Sequence, residues 1–289
     1  MCGRFAASAG TDELIEQLEI EEDHTGQRVR SLLRSPQDPC AGAPDYNMAP
    51  TKNARVVLAR APRQVAIDAQ VATDIASESA QSQPRRQLRL LTWGLVPSWA
   101  KDPAVGVRMT NARVETVATK PAFRAAFASR RALVPADGWY EWQVSPTATD
   151  AKGKPRKQPF FMHRTDGVPV TLAGLYEFWR DVSLPAEHAD AWLASFTVLT
   201  RAAEPGLDRI HDRQPVVLDP DQWTTWLAPT SGAGDVGAIL AADRPGRFAA
   251  YPIGRAVGNS RANGAALLEP VDPSELIGVI DPQTGEVIG

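Results

Sequence analysis

The sequence predicts a mixed α+β fold: a single domain over residues 1–289, with a mainly antiparallel, barrel-like β core and a few short flanking helices. Three observations predict it. Short strand-like runs outnumber helical ones and rarely alternate with them, which argues against a doubly wound parallel sheet. No internal repeat and no linker divides the chain. At 289 residues it is also long enough to bury a large core without disulfide staples.

In chain order, Thr11 is a candidate N-cap, with Asp12 and Glu13 in the first turn and Leu14, Leu18 and Ile20 forming the apolar side of a short helix. Residues 21–44 are polar and read as a long connection. Tyr46-Asn47-Met48-Ala49-Pro50 reads as a compact turn, and 54–59 as a strand. Residues 69–87, rich in Ser, Ala and Gln, read as a polar insertion. A strand over 88–95 runs into a turn carrying Trp93 and Trp99. Pro121 with Phe123 and Phe127 predicts a short helix. Strand-like runs follow at 132–136, 138–144, 159–164, 168–178 and 194–200, with 145–158 as a hairpin connection and 180–190 as a second polar insertion. A short strand at 216–218 precedes a helix opened by Asp219-Pro220 and carrying Trp223, Trp226 and Leu227; strands and loops close the chain at 246–270.

The two cysteines, Cys2 and Cys40, form no spaced framework, so a reducing cytoplasm without structural disulfides is expected. No CxxC or His-rich cluster offers a metal site, and no cofactor motif is present. Neither a membrane-length apolar run nor a secretory leader is visible. Net charge is −3, but ten Lys or Arg face only Asp102 and Glu115 between Arg85 and Arg131, leaving −11 for the remainder. Such a block is a solvated face or the footprint of a phosphate backbone.

Chemistry is concentrated at the beginning of the chain. Cys2 is small enough for aminopeptidase to remove Met1, which would leave an amine and a thiol on adjacent carbons. A 1,2-aminothiol captures an aldehyde as an imine and then closes a thiazolidine through sulfur. Downstream, Asn111 and Arg113 stand two apart on an extended segment and so share a face. Glu141 sits among Trp139, Tyr140 and Trp142, where burial would fit it for proton transfer. His211, beside Asp212 and Arg213, could shuttle protons. Trp93, Trp99 and Pro50 could form a platform for unstacked bases. Taken singly, each has an ordinary structural explanation: a frayed terminus, a capped turn, a solvated strand carboxylate, a satisfied His–Asp pair, core indoles.

Together, in order, they resemble the SRAP family (SOS response-associated peptidase, the abasic-site-processing proteins). The matching pieces are Met1-Cys2-Gly3-Arg4-Phe5, Tyr46-Asn47-Met48-Ala49-Pro50, Trp93-Gly94-Leu95-Val96-Pro97-Ser98-Trp99, Asn111-Ala112-Arg113-Val114-Glu115-Thr116, Ala136-Asp137-Gly138-Trp139-Tyr140-Glu141-Trp142, His211-Asp212-Arg213-Gln214-Pro215 and Ala256-Val257-Gly258-Asn259. The resemblance implies a protein that binds single-stranded DNA, or a junction of single and double strand, at an abasic site and bonds to it covalently; a self-contained domain of this size is expected to act as a monomer. By matching motif, Cys2 is the implied nucleophile. Asn111 would orient the sugar or the Cys2 backbone, Glu141 would move protons in both directions, and His211 would assist sugar opening and strand cleavage. Arg4, Arg113 and Arg213 are the implied phosphate contacts, with Asn47, Pro50 and Trp99 near the flanking bases. Lyase and self-processing peptidase activities come with the same resemblance. Where some members carry a second aromatic after Trp99, this chain has Ala100. The rival readings are an N-terminal-nucleophile amidohydrolase, a thiol peptidase pairing Cys2 with His211, and a non-catalytic single-strand binding module.

Overall fold

The computed structural model describes residues 2–33, 36–61, 84–242 and 244–289. The first half contains β1 (Phe5–Ala7), α1 (Thr11–Gln17), β2 (Glu22–Asp23), β3 (Asp45–Met48), β4 (Asn53–Arg60), β5 (Arg85–Trp93), β6 (Asn111–Arg113), α2 (Arg124–Ser129), β7 (Arg131–Ala136) and β8 (Gly138–Thr149). There follow β9 (Pro155–Arg164), β10 (Val170–Arg180), β11 (Trp192–Ala202), β12 (Arg213–Pro215), α3 (Pro220–Leu227), α4 (Ala233–Ala241) and β13 (Phe248–Pro252). The short pair β14 (Val279–Ile280) and β15 (Val287–Ile288) comes last.

Strands β5, β4, β7, β10 and β11 pair antiparallel in that order, and β11 returns to β5 in parallel, closing a five-stranded barrel. The closing seam is short: Ser195 faces Thr92 and Phe196 faces Trp93, with the Gly94 amide donating to the Phe196 carbonyl at 2.8 Å. Alternation along these strands sorts side chains onto two faces. Val56, Leu58, Leu91, Trp93, Val134, Leu172, Phe196 and Val198 point inward and pack with Phe5 and Trp139. Val57, Leu88, Leu133, Ala173, Leu175 and Leu199 point outward beneath α1, α2 and α3. Because both faces are covered, these strands read as nearly continuous apolar runs. A second sheet, ordered β13-β9-β8-β1-β3, carries the N-terminal strand.

The helices follow their sequence signals with one correction. Gly10, not Thr11, caps α1; the Thr11 hydroxyl instead accepts from the Arg55 guanidinium at 3.4 Å. Pro220 opens α3, and Gln222 accepts from the Asp219 amide as in a capping box. Trp223 and Trp226 bury against the outer barrel face.

Strand boundaries required more correction. Of the expected insertion 69–87, residues 69–83 lie outside the described residues, while Arg85 to Gln87 already belong to β5, paired with Arg60 to Leu58. The expected connection 145–158 is mostly strand. β8 and β9 pair from Trp139–Met162 to Val144–Lys157 and again at Thr149–Pro155, and the Asp150 carboxylate accepts the Lys152 and Lys154 amides in a tight turn. The Ser145 hydroxyl takes the Ala148 amide across the intervening irregularity, where Pro146 loses no ladder bond. Of the segment 46–50, read as a turn, residues 46–48 belong to β3, which pairs with β1. The expected strand at 216–218 bridges β10 at Val217–Leu172, with the Ala173 amide donating to the Val216 carbonyl and the Leu218 amide to the Thr171 carbonyl at 2.8 Å each, while β12 pairs with β11 just before it, at Arg213–Pro215. Residues 180–190 fill most of the turn between β10 and β11.

Candidate active site around Cys2

Strand β1 is held on both edges, Phe5 pairing with Met48 on one side and Trp139 on the other, and its ring lies 4.9 Å from that of Trp93. This fixes Cys2, three residues upstream, where it is wholly buried. Its backbone is gripped as well. The Asn111 side-chain amide donates to the Cys2 carbonyl at 2.7 Å, and Asn111 is itself placed by β6, which runs parallel to β11 with Asn111 opposite Val198. Asn111 Oδ1 is buried without a hydrogen-bond partner among the described residues, so the same amide presents an unused acceptor beside Cys2.

Glu141 reaches this region from β8. It stands two residues after Trp139, so both project from one face of the strand, and it is 2% exposed. Burial, with the Asp212 carboxylate adding to it, raises its pKa from 4.5 to about 7. Burial and the nearby Glu141 charge push the Cys2 thiol far above its ordinary value. The thiol therefore stays protonated near neutral pH until a base takes its proton.

His211 follows the turn 207–209. Its Nδ1 lies 3.0 Å from the Arg213 amide and 2.9 Å from an Asp212 carboxylate oxygen. It can accept from the first or, when protonated, donate to the second. Burial lowers the His211 pKa, so the neutral ring accepts from Arg213 N–H and carries its proton on Nε2.

The other expected residues fall into two groups. Arg4 and Asn47 are structural neighbours: the Arg4 guanidinium donates to Asn47 Oδ1 at 2.6 Å and to the Val257 carbonyl at 2.8 Å, and lies 5.9 Å over the Trp142 ring. Asn47 is fully buried, and its amide donates to the carbonyls of Asn259 and Ala262 at 2.9 Å each. Arg213 forms a forked pair with Glu115, at 2.6 and 2.9 Å. Trp99 and Arg113, in contrast, face solvent, Trp99 being 65% exposed, and Pro50 is half-buried. The Trp99 turn is anchored where Gly94, at φ +133°, lies against the Gly106 backbone; a Cβ at Gly94 would fall 2.5 Å from the Gly106 carbonyl oxygen. The Ala100 carbonyl accepts from the Trp179 indole at 2.6 Å.

The basic block divides the same way. Arg85, Arg86, Arg130 and Arg131 are engaged by carboxylates or helix-end carbonyls. Lys101, Arg108, Arg113, Lys120 and Arg124 are exposed, with no ion pair among the described residues. Sequence reasoning passed over Asp212 as a contributor to the Glu141 environment and Trp142 as the platform under Arg4. Both lay inside motifs already singled out, but only the tertiary arrangement brings them to their partners.

Comparison with known proteins agrees across sequence and structure. A family model described as SOS response associated peptidase (SRAP) matches residues 1–260. The abasic site processing protein YedK of Escherichia coli is 31% identical over 94% of this chain and 100% of its own length. YoaM of Bacillus subtilis, with the same description, is 29% identical over 93% and 98%. Abasic site processing protein HMCES of Pongo abelii is 28% identical over 94% of this chain and 77% of its own. Among crystal structures, a Bacteroides thetaiotaomicron protein shares the fold at TM-score 0.65 and 18% identity, covering 93% of this chain and all of that one. A phage-related protein of Bordetella bronchiseptica gives 0.58 at 26% identity, with coverages of 91% and 99%. With nine-tenths of its length matched by one family model, this chain belongs to the SOS response associated peptidase (SRAP) family.

Proposed function

We propose that this protein processes abasic sites in DNA by capturing the lesion covalently at Cys2 once Met1 has been removed, acting on single strands and on junctions of single and double strand. The relatives' description as abasic site processing proteins supports the substrate. The observation that carries the chemistry is the convergence on Cys2 of Asn111 and Glu141, residues 109 and 139 positions away in sequence, one gripping its carbonyl and the other acting electrostatically on its thiol.

The ring-opened sugar of an abasic site presents an aldehyde. The Cys2 amine adds to its carbon, giving a carbinolamine. Loss of hydroxyl as water, with a proton supplied by Glu141, gives the imine. The thiol then adds to the carbon of the N-protonated imine, its proton returning to Glu141 as the C=N electron pair settles on nitrogen, which keeps its one hydrogen, and this closes the thiazolidine. The net change is protein plus DNA minus one water. A carboxyl with pKa of about 7 suits both directions of transfer at neutral pH. Asn111 holds the Cys2 backbone and offers its free oxygen to the amine or sugar. Neutral His211 assists opening of the sugar and cleavage on its 3′ side.

Arg113 and the exposed lysines and arginines of 101–124 serve the phosphates, Trp99 and Pro50 the flanking bases. Arg4, Asn47 and Arg213 shape the same surface through the contacts described above, and the partly open guanidinium of Arg4 also serves a phosphate. The test is direct. Protein shown by intact mass to lack Met1 is mixed with a single-stranded oligonucleotide bearing one abasic site and run on a denaturing gel. A species of mass protein plus DNA minus water, mapped to Cys2, is expected. No adduct, with the lesion intact, overturns the reading.

A further inference from the structure

Where the β8–β9 hairpin runs on past the end of β1, an open cleft of about 370 Å³ lies beside Trp142. It adjoins the Cys2 centre through the sheet. The register Phe5–Trp139, continued by the Tyr140 amide donating to the Arg4 carbonyl at 3.0 Å, leads the chain end toward Glu141 and Trp142. Consecutive residues on a strand face opposite ways, so Glu141 is turned inward and Trp142 to the cleft.

The cleft combines accessible cations with an aromatic wall. Lys154, Lys157 and Arg255 are exposed and Arg156 is half-buried; all four line the cleft, and none forms an ion pair among the described residues. Asp150 is the one acid lining it, and that carboxylate is turned back on the hairpin, accepting the Lys152 and Lys154 amides at 2.8 and 3.0 Å. Apolar surface comes from the exposed Pro155 and from Trp142, a half-buried ring over which the Arg4 guanidinium lies at 5.9 Å. The other arginine cluster of the molecule is built differently. Arg164, Arg244 and Arg247 converge on Asp219, whereas the cations of the cleft repel one another with no carboxylate among them free to answer. A polyanion relieves that repulsion.

A cation would be repelled here, a simple anion would leave the indole unused, and a neutral apolar molecule would leave the charges unanswered. A nucleotide meets both demands, because phosphate and base belong to one unit. We infer that this cleft holds an unpaired nucleotide of the DNA strand beside the abasic site, on the flank that Trp99 does not take, its phosphates on Lys157 and Arg255 and its base against Trp142. The inference rests on the proposed capture of abasic DNA and adds a second strand path to it. The barrel sheet supplies Trp99 and Arg113 for one flank; the second sheet supplies Trp142 and the hairpin for the other.

The experiment is fluorescence anisotropy of the full-length protein with single-stranded oligonucleotides in which a tetrahydrofuran unit replaces the lesion. That unit has no aldehyde, so only noncovalent binding is read. Two oligonucleotides are compared, one extending only 5′ of the unit and the other only 3′. Lys157→Gln combined with Arg255→Gln should weaken one of them at least tenfold at about 0.1 M salt and the other less than twofold. For the weakened one, the slope of log affinity against log salt should fall by about 1.4, the loss of two phosphate contacts to a single strand. Trp99→Ala should weaken the opposite oligonucleotide. Removing the base next to the unit on the hairpin flank should cost the wild-type protein about tenfold, the stacking of one base. Both substituted side chains are exposed and unpaired, so thermal unfolding should not shift. Equal weakening of the two oligonucleotides, an unchanged salt slope, or indifference to the missing base would each overturn the inference. A wild-type protein that binds neither oligonucleotide would overturn the proposed function as well; one that binds both, with a variant that does not discriminate, overturns this inference alone.

Discussion

Two buried carboxylates, Glu141 paired with Phe160 on β9 and Asp219 held by Arg164 of the same strand, have opposite environments. Glu141 is 2% exposed, and burial sends its pKa up to about 7. Asp219, 6% exposed, is also penalised by burial, yet the bond from Arg164 and the charges of Arg247 and Arg244 outweigh that and hold it below its ordinary value. Arg164 and Arg247 donate to the same oxygen, at 2.6 and 2.5 Å. The difference lies in the neighbours rather than in depth. Three guanidiniums turn a buried acid into a strut between β9, α3 and the segment before β13; at Glu141 the N-terminal amine pulls the pKa down but burial outweighs it, which leaves a proton that can move at neutral pH.

The comparison can be broken most sharply at the nucleophile. Cys2→Ala should abolish the covalent adduct while leaving noncovalent DNA binding, read by denaturing and native gels on the same samples; a surviving crosslink would sink the assignment. Glu141→Gln should slow adduct formation and reversal by about 10²-fold, the range of general acid–base catalysis, and flatten the pH–rate profile near 7. Unchanged release kinetics would show the role to be misplaced.

The same two acids should also pull stability in opposite directions with pH. Glu141 has a folded pKa raised from 4.5 to about 7, so its contribution is fully present below 4.5 and is lost as pH rises through 7. Relative to wild type, Glu141→Gln should therefore gain on the order of 3 kcal/mol between pH 4.5 and 8, measured by urea unfolding. The contribution of Asp219 is present above pH 3.8 and is lost as pH falls through its depressed value. Asp219→Ala should cost about 3 kcal/mol at pH 7, because Arg164 loses one of its two carboxylates in a buried setting, while adduct formation is untouched. The smallest effect is expected at Trp99. Trp99→Ala should weaken single-strand affinity by about 1–2 kcal/mol, with unchanged stability and an unchanged adduct rate at saturating DNA.

The residues with distinctive chemistry were the easiest to find from sequence. Cys2, Asn111 and Glu141, each ordinary taken singly, could be named because their motifs occur together and in order, and the fold places all three together. The mainly antiparallel core was legible from its many short apolar runs. Three features were not. The parallel β5–β11 seam joins segments about a hundred residues apart through two residue pairs, and no local pattern encodes it. The long β8–β9 hairpin is disguised by Pro146, Lys154 and Pro155, which an exposed hairpin tolerates but a composition reading assigns to loop. Helix α4 contains Gly234 and Gly237, weak helix formers, and is set by its packing of Val236 beneath the outer core.

The way β1 is held also has a consequence for biosynthesis. Of its two partners, β3 is made about forty residues later, but β8 begins only at Gly138. At translation rates of about 5–20 residues per second, the amino terminus leads the rest of the chain by roughly ten seconds before the second edge can close over it. In the chain that retains Met1, Cys2 is then buried. The proposed excision of Met1 thus belongs to the nascent chain, and expression that outruns the cell's aminopeptidase should yield a folded, DNA-binding population without the reactive terminus.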